Sequence, residues 1–529
     1  MQNAECRHRN VGRALLWRPT VSVFCILNSA LLISAACSRA QPTDPNIITV
    51  AVRSGPTTLD PLQAGDEISQ RIGQLIFNPL MGWGDDLRVH PVLAERYVTP
   101  DPLTYRFYLR HGVMFHDGHE LTSKDVVYTF AGFLDSDFVS PIKGAYRQLA
   151  SVTADDDYTV TFRLKEPFAA FPIQLVLPPI VPSGAGSRMR THPIGTGPYR
   201  FVRYDDDDRV VLSAFDGYWE GVPSNRGVIV KVIPDDTMRG LELRKGATDA
   251  VINDLPPDIV FQLQKSDQFL VERSAGLDFS YLGFNMRDPV VGDVRVRHAI
   301  GYAIDRAAII RDLRRGLARP ATGLVPDVAS SYEPDVLRFT HDPEHAKRLL
   351  DEAGYRDPDG DGPLPRLRLT MKTSTNEETR LQSTVIQEDL RRVGIELDLR
   401  SYEFATFYAD IVKGNFQVFT LTWTGGALVD PDIVRRVFHS EQIPPSGFNR
   451  GYYHNVEVDR LIDAATRSLD EHERKRLYGE AQKLIAEDAP YIPIWNRSNV
   501  IVAQRSLGGL HAGPMGNFTQ LKDVRRTAH

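Results

Sequence analysis

Cysteine is nearly absent from this chain of 529 residues; the three present are Cys6, Cys25 and Cys37. None follows residue 37, so the body of the protein has no internal disulfide and no thiol nucleophile. A basic excess is missing too. Lys and Arg number 62 against 68 Asp and Glu, a net charge of -6, which leaves no electrostatic footprint for nucleic acid. The longest apolar run, near residues 21–36, is shorter than the roughly 20 residues a membrane-spanning helix needs. There is no Gly-x-Ser-x-Gly elbow, no phosphate-binding loop and no Gly-x-Gly-x-x-Gly opening a helix. These absences remove the common hydrolase, nucleotide and dinucleotide signatures, and the reading carries no catalytic residue and no cofactor. The length exceeds one domain's worth, and 42% hydrophobic residues are ordinary for a globular protein.

What is present begins with a leader. Arg7, Arg9, Arg13 and Arg18 precede the apolar run, and Ser34-Ala35-Ala36 leads into Cys37. This is the pattern of a secretory signal peptide over residues 1–37. Ala35-Ala36-Cys37 resembles a lipoprotein acceptor site, with Ser34 where that pattern usually has Leu. The expectation is an exported protein tethered to the membrane surface through acylated Cys37; the alternative is ordinary cleavage nearby and free diffusion.

The stretch 104–130 organises the rest. Tyr105, Phe107 and Leu109 alternate with Arg106, Tyr108 and Arg110, as in a half-buried strand. His116-Asp117-Gly118 makes a turn. Thr122 with Asp125 three residues on is a capping box, which predicts a helix burying Val126, Val127 and Phe130. Strands are expected at 46–52, 158–164, 228–233, 367–371 and 395–399, and an acidic-tipped hairpin around 205–208. Helices are expected at 70–80, from 167, at 237–243, after Asp293, and at 346–354, 377–393, 453–469 and 471–486.

This strand–turn–helix stretch, with Val113-Met114-Phe115-His116-Asp117-Gly118 inside it, resembles the family 5 extracellular solute-binding proteins. Further landmarks agree: Leu59-Asp60-Pro61, Gly195-Thr196-Gly197-Pro198-Tyr199, Asp216-Gly217-Tyr218-Trp219, the block 294–306 ending Ala303-Ile304-Asp305-Arg306, and 488–495. The resemblance covers essentially the whole chain after the leader. It implies an α/β, two-lobed periplasmic-binding-protein fold (type II, large three-domain peptide-binding subclass) with a ligand cleft between lobes. Domain I would comprise 45–79, 192–280 and 497–529, domain II would be 80–191 and domain III 281–496. It also implies binding without bond breaking: capture of di- or oligopeptides by lobe closure, delivery to the permease of an ABC importer, a periplasmic location and a monomeric state.

The loop after Phe419 is the informative one for ligand choice. By resemblance, the residue three after Trp423 is an Asp that pairs with the peptide's α-ammonium in peptide-binding members; here it is Gly426. A buried ammonium needs a compensating carboxylate, which Asp430 would have to supply. The loss opens a rival reading, transport of a sugar, an opine or a metal chelate. The ligand-binding candidates are Trp423, Thr424, Gly425, Gly426, Asp430, Asn285, Asn449 and Tyr452, each with a bland alternative as a core residue or turn cap.

Three other clusters carry ligand-type residues. His111, His116, His119 and Glu120 crowd one loop, but not at the i, i+4 spacing that sets two imidazoles on one helix face. They motivate the rival reading of a secreted metal-dependent hydrolase. Asp357, Asp359 and Asp361 sit at the first three ligand positions of a calcium loop, yet Pro365 and Arg368 stand where later ligands are needed. Asp205 to Asp208 reads as a solvated turn.

Overall fold

The computed structural model describes residues 44–360, 362–444 and 447–527. The leader and Cys37 lie outside the described residues. From Asn46 onward the chain forms one compact unit.

Its centre is a pair of antiparallel strands, Phe269–Phe284 (16 residues) and Tyr491–Gln504 (14 residues). They lie side by side in the middle of an 11-stranded sheet. One flank adds Val418–Trp423, Leu367–Ser374 and Ile395–Tyr402; the other adds Ala250–Ile252, Ile47–Val52, Gly227–Val232, Arg209–Ala214 and Tyr199–Asp205. The parallel pairs Ile47–Val52 with Gly227–Val232 and Leu367–Ser374 with Ile395–Tyr402 are covered by helices, as parallel strands require.

The ladder between the two long strands slips at two nearby places. Pairing runs from Phe269↔Gln504 to Ala275↔Ser498, breaks, and resumes at Phe279↔Asn496. A second shift between Ser280 and Tyr281 puts Pro493 opposite Tyr281, so the proline sits at an irregularity, where no ladder donor is required of it. Gly276 lies in the first break. A Cβ there would stand 2.5 Å from the Arg497 carbonyl, so the close approach of the two backbones requires glycine.

A separate four-stranded antiparallel sheet is built from Ala94–Asp101, Thr104–Leu109, Thr159–Leu164 and Leu149–Asp156, in that order. The helix Ser123–Leu134 packs on it. Phe107, Phe115, Phe130 and Phe162 fill the space between them, with Phe130 and Phe162 edge-to-face at 4.9 Å. The predicted alternation of Thr104–Leu109 holds, since Tyr105, Phe107 and Leu109 are buried. Asp125 accepts from the Thr122 backbone N–H at 2.9 Å, so the acidic arm of the capping box is formed.

Most other expected elements are present within a few residues. The first helix is Glu67–Ile76 and begins earlier than expected, because Asp66 caps it by accepting from Ser69 N. The helix expected from residue 167 is only the short Phe171–Gln174. The two long central strands are the main omission of the sequence reading: Gly276 and Pro493 break their pattern, and only the partner strand shows these breaks to be bulges.

Candidate ligand-binding site

Two sequence landmarks meet in a scaffold junction away from the loop singled out for ligand choice. His116 is buried against the turn at 195–199. Its Nδ1 accepts from Gly195 N at 3.3 Å, its Nε2 donates to the Gly197 carbonyl at 3.0 Å, and its backbone N–H donates to the Gly195 carbonyl at 2.9 Å. This arrangement needs the neutral ring, and burial lowers the imidazole pKa to about 4 against the partly opposing pull of the Gly197 bond. Gly197 N in turn caps the helix Glu67–Ile76 by donating to Ile76 O at 2.9 Å. A Cβ on Gly195 or Gly197 would collide with the Ile76 backbone, which explains both glycines.

The other histidines of this loop diverge. His119 pairs with Asp117 at 2.6 Å, and His111 lies on the Tyr158 ring at 3.8 Å. Glu120 accepts from Gly112 N and the Tyr158 hydroxyl. Among the described residues no group of three or more potential metal ligands converges. Asp357 pairs with Arg366, Asp205 with Arg203 and Asp208 with Arg209; Asp361 lies outside the described residues.

The loop singled out for ligand choice runs from the strand Val418–Trp423 to the short helix Asp432–Phe438. Phe279 pairs with Trp423, which places the loop beside the slipped part of the central ladder. Gly425 has φ 88°, a left-handed conformation natural to glycine, and its N–H reaches Asp278 at 3.3 Å. Thr424 and Gly425 are exposed. Gly426 is tightly covered. A Cβ there would lie 2.5 Å from Met515 Cε and 3.1 Å from Trp83 Nε1. Trp83 belongs to the hairpin formed by Met81–Trp83 and Val89–Pro91, whose tip residue Leu87 is buried in the same hydrophobic cluster as Phe279 and Leu428. Three distant parts of the chain therefore meet over the position of the missing aspartate.

Asp430 lies beneath, 5% exposed, with its carboxylate accepting from Asp432 N at 3.0 Å. Burial, and then the neighbouring Asp432 carboxylate, pushes its pKa up to about 7. Asp432 is held by Arg435 through two bonds of 2.6 and 2.8 Å.

The remaining candidates are elsewhere. Asn285 follows the strand end opposite Trp423, six residues from Phe279, or roughly 20 Å at about 3.3 Å per residue. Its amide donates to the Gly414 and Phe416 carbonyls, and its Oδ1 accepts from Arg287 N. Tyr452 carries the Arg287 guanidinium 3.4 Å over its ring. Asn449 bonds the His439 and Tyr453 carbonyls and accepts from Tyr453 N. The fold thus brings together Trp423, Thr424, Gly425, Gly426 and Asp430, while Asn285 and Tyr452 group separately and Asn449 holds a turn.

Arg450, next to Asn449, was missed. It is 5% exposed, and its guanidinium lies 4.7 Å over Trp423, 5.2 Å over Tyr408 and 5.4 Å over Phe448. A lone cation between Phe448 and the Tyr452-Tyr453 pair was the available sequence signal.

Two α/β halves spanned by a pair of crossing strands, with a third small sheet alongside and an open loop near the crossing, define a two-lobed solute-binding protein. The chain belongs to the bacterial extracellular solute-binding proteins, family 5, whose middle segment matches residues 88–444. It is similar to the glutathione-binding protein GsiB of Salmonella typhimurium, with 30% identity over 89% of this chain and 93% of that protein. Its fold matches the oligopeptide-binding protein AppA of Bacillus subtilis, solved with a nonapeptide, at 27% identity and a TM-score of 0.77, covering 91% of this chain and 99% of the other. The periplasmic binding protein DppA of Helicobacter pylori, solved with the peptide STSA, matches at 26% identity and a TM-score of 0.77, covering 91% and 98%. Among the described residues no helix is long and apolar enough to cross a membrane.

Proposed function

We propose that this chain is the substrate-binding component of an ABC importer and captures short peptides. It is exported by residues 1–37, held at the membrane by acylated Cys37, and works as a monomer that hands its ligand to the permease. The domain division given by resemblance fits this role. Its boundaries near 280 and 496 fall beside the slip in the central ladder, the natural hinge for closure. Ligand contacts formed only in the closed arrangement would supply the bias toward it.

The observation that carries the reading is the similarity over nearly the full length to a glutathione-binding protein, and the cover over Gly426 bears on how the ligand is held. With Trp83 and Met515 filling the space, a peptide amine is not anchored there by an acid in the usual way, and Trp423, Thr424 and Gly425 form the accessible rim. The similarity to a glutathione-binding protein over nearly the full length supports a small peptide rather than a sugar, opine or chelate. Glutathione, joined through the γ-carboxyl of its first residue, presents its amine and carboxylates differently from an ordinary tripeptide.

The test is native mass spectrometry of the protein expressed from Ser38 onward, followed by calorimetric titration with glutathione and with trialanine. Co-purifying masses that fragment as peptides, and binding of at least one probe, are expected. A single non-peptide mass that blocks both probes would overturn the reading.

A further inference from the structure

Buried arginines in this protein differ in their partners: Arg239 and Arg314 each have a carboxylate, Asp236 and Glu378. Arg297 donates to the carbonyls of Val291, Gly292, Asp488 and Ala489, and Arg306 to those of Gly301, Ile304, Phe339 and Pro493. Each is wrapped in backbone oxygen and ties elements together. Arg450 is as deeply buried but bonds no carbonyl. Its donors reach only two phenol oxygens, Tyr281 at 3.3 Å and Tyr408 at 3.0 Å. Among the described residues no carboxylate lies within ion-pair distance of it.

The surroundings of Arg450 also lack acceptors. Trp423 Nε1 is buried without a hydrogen-bond partner, and an indole N–H can only donate. The Tyr491 hydroxyl, on a ring stacked 4.1 Å from Tyr281, is buried and faces Tyr281, Trp423 and Arg450 without a well-formed hydrogen bond to any of them. A guanidinium, an indole N–H and the Tyr491 phenol thus face one another in one place, with no carboxylate among the described residues to meet them. Aromatic faces offset part of the cost of burying the cation, but a buried charge is fully compensated only by an ionic partner. Tyr408, Trp423 and Phe448 are each partly exposed, and Trp423 runs directly into the exposed Thr424 and Gly425.

We propose that the box formed by Arg450, Tyr281, Tyr408, Tyr491, Trp423 and Phe448 is an anion subsite that takes a carboxylate of the bound peptide. A carboxylate supplies two acceptor oxygens and the missing charge, in the planar form that a guanidinium pairs with best. The subsite rests on the peptide reading above and deepens it: affinity is anchored through the ligand's acid, while the amine is left without a buried counter-charge at Gly426.

The experiment is titration of the protein from Ser38 onward with trialanine and glutathione, and with the C-terminal amide of each. It is run on the wild type, Arg450→Gln and Arg450→Lys, with unfolding curves confirming that each variant is folded. For glutathione, the amide leaves a second carboxylate, so trialanine gives the clean comparison and glutathione the check. The expected result is at least tenfold weaker binding of the trialanine amide than of trialanine by the wild type. That preference should vanish in Arg450→Gln, without loss of amide binding, and return in part in Arg450→Lys. Equal binding of acid and amide by the wild type, or a preference that survives in Arg450→Gln, would overturn the subsite and leave the peptide reading standing. Failure of every peptide form to bind any protein would overturn both.

Discussion

The stretch 111–125 and the loop 423–432 are both turns leading into a helix, and they are finished in opposite ways. In the first, the buried polar side chains are answered from within the protein. His116 bridges Gly195 and Gly197, Glu120 takes Gly112 N and the Tyr158 hydroxyl, and Asp125 takes Thr122 N and, at 2.8 Å, Ser183 N. In the second, Trp423 Nε1 has no partner, Asp430 is buried with a displaced pKa, and two successive residues carry no side chain. A turn whose groups are all satisfied is scaffold. One left incomplete costs stability unless something else completes it, and that is where a ligand is expected.

The comparison is broken most forcefully by pH. His116 falls from an ordinary 6.5 to about 4 on folding, and Asp430 rises from 3.8 to about 7. The unfolded chain binds the His116 proton more readily, so that contribution is full above 6.5 and is lost as pH falls toward 4. The folded chain holds the Asp430 proton, so that contribution is present below 3.8 and is lost as pH rises toward 7. By linkage the two contributions have opposite sign, each on the order of a few kcal/mol. His116→Gln should leave a stability that falls with rising pH across this window, and Asp430→Asn one that rises, relative to a flatter wild type. Because Asp430 is coupled to Asp432, the acid arm reports the pair. Urea midpoints at several pH values decide it; parallel slopes in the two variants would defeat the assignment.

His116→Ala at pH 7 should cost roughly 2 to 3 kcal/mol in urea unfolding, since it orphans Gly195 N and opens a void. Peptide affinity of the folded fraction should be unchanged. Gly426→Asp should cost roughly 1 to 3 kcal/mol by overpacking against Trp83 and Met515. It should also weaken peptide binding in calorimetry, whereas tighter binding would mean that the acid has found the peptide amine after all. Thr122→Ala should be the mildest, about 1 kcal/mol or less in urea unfolding, because the Asp125 arm survives.

Much of the scaffold was legible because its signals are local. The alternation of Thr104–Leu109, the Thr122 and Asp125 spacing, and Asp293 ahead of Val294–Ala303 each specify an element from adjacent residues. The two central strands were not legible, because what makes Pro493 and Gly276 acceptable is a partner more than 200 positions away along the chain. The site divides likewise. The Trp423–Gly426 departure was visible by resemblance, but the crowding by Trp83 and Met515 was not. Arg450 had only the faint signal of a cation set among aromatic residues. Its meaning lies in the partners it does not have, and only three dimensions show that Arg297 and Arg306 are wrapped in carbonyls while Arg450 is not.

The order of the sheet also sets a timetable for folding. Ile47–Val52 is held between strands made near residues 227 and 250, and the strand that joins the two flanks, Tyr491–Gln504, is nearly the last to be synthesised. Until it emerges, the two halves have no continuous ladder between them, and Phe269–Phe284 has one edge bare. Such long-range closure is slow, because the entropy of looping must be met before the contacts form. The central ladder can therefore close only once the chain through residue 504 is present, more than 200 positions after its partner strand, and a chain in that state is one that can still be threaded through a narrow opening.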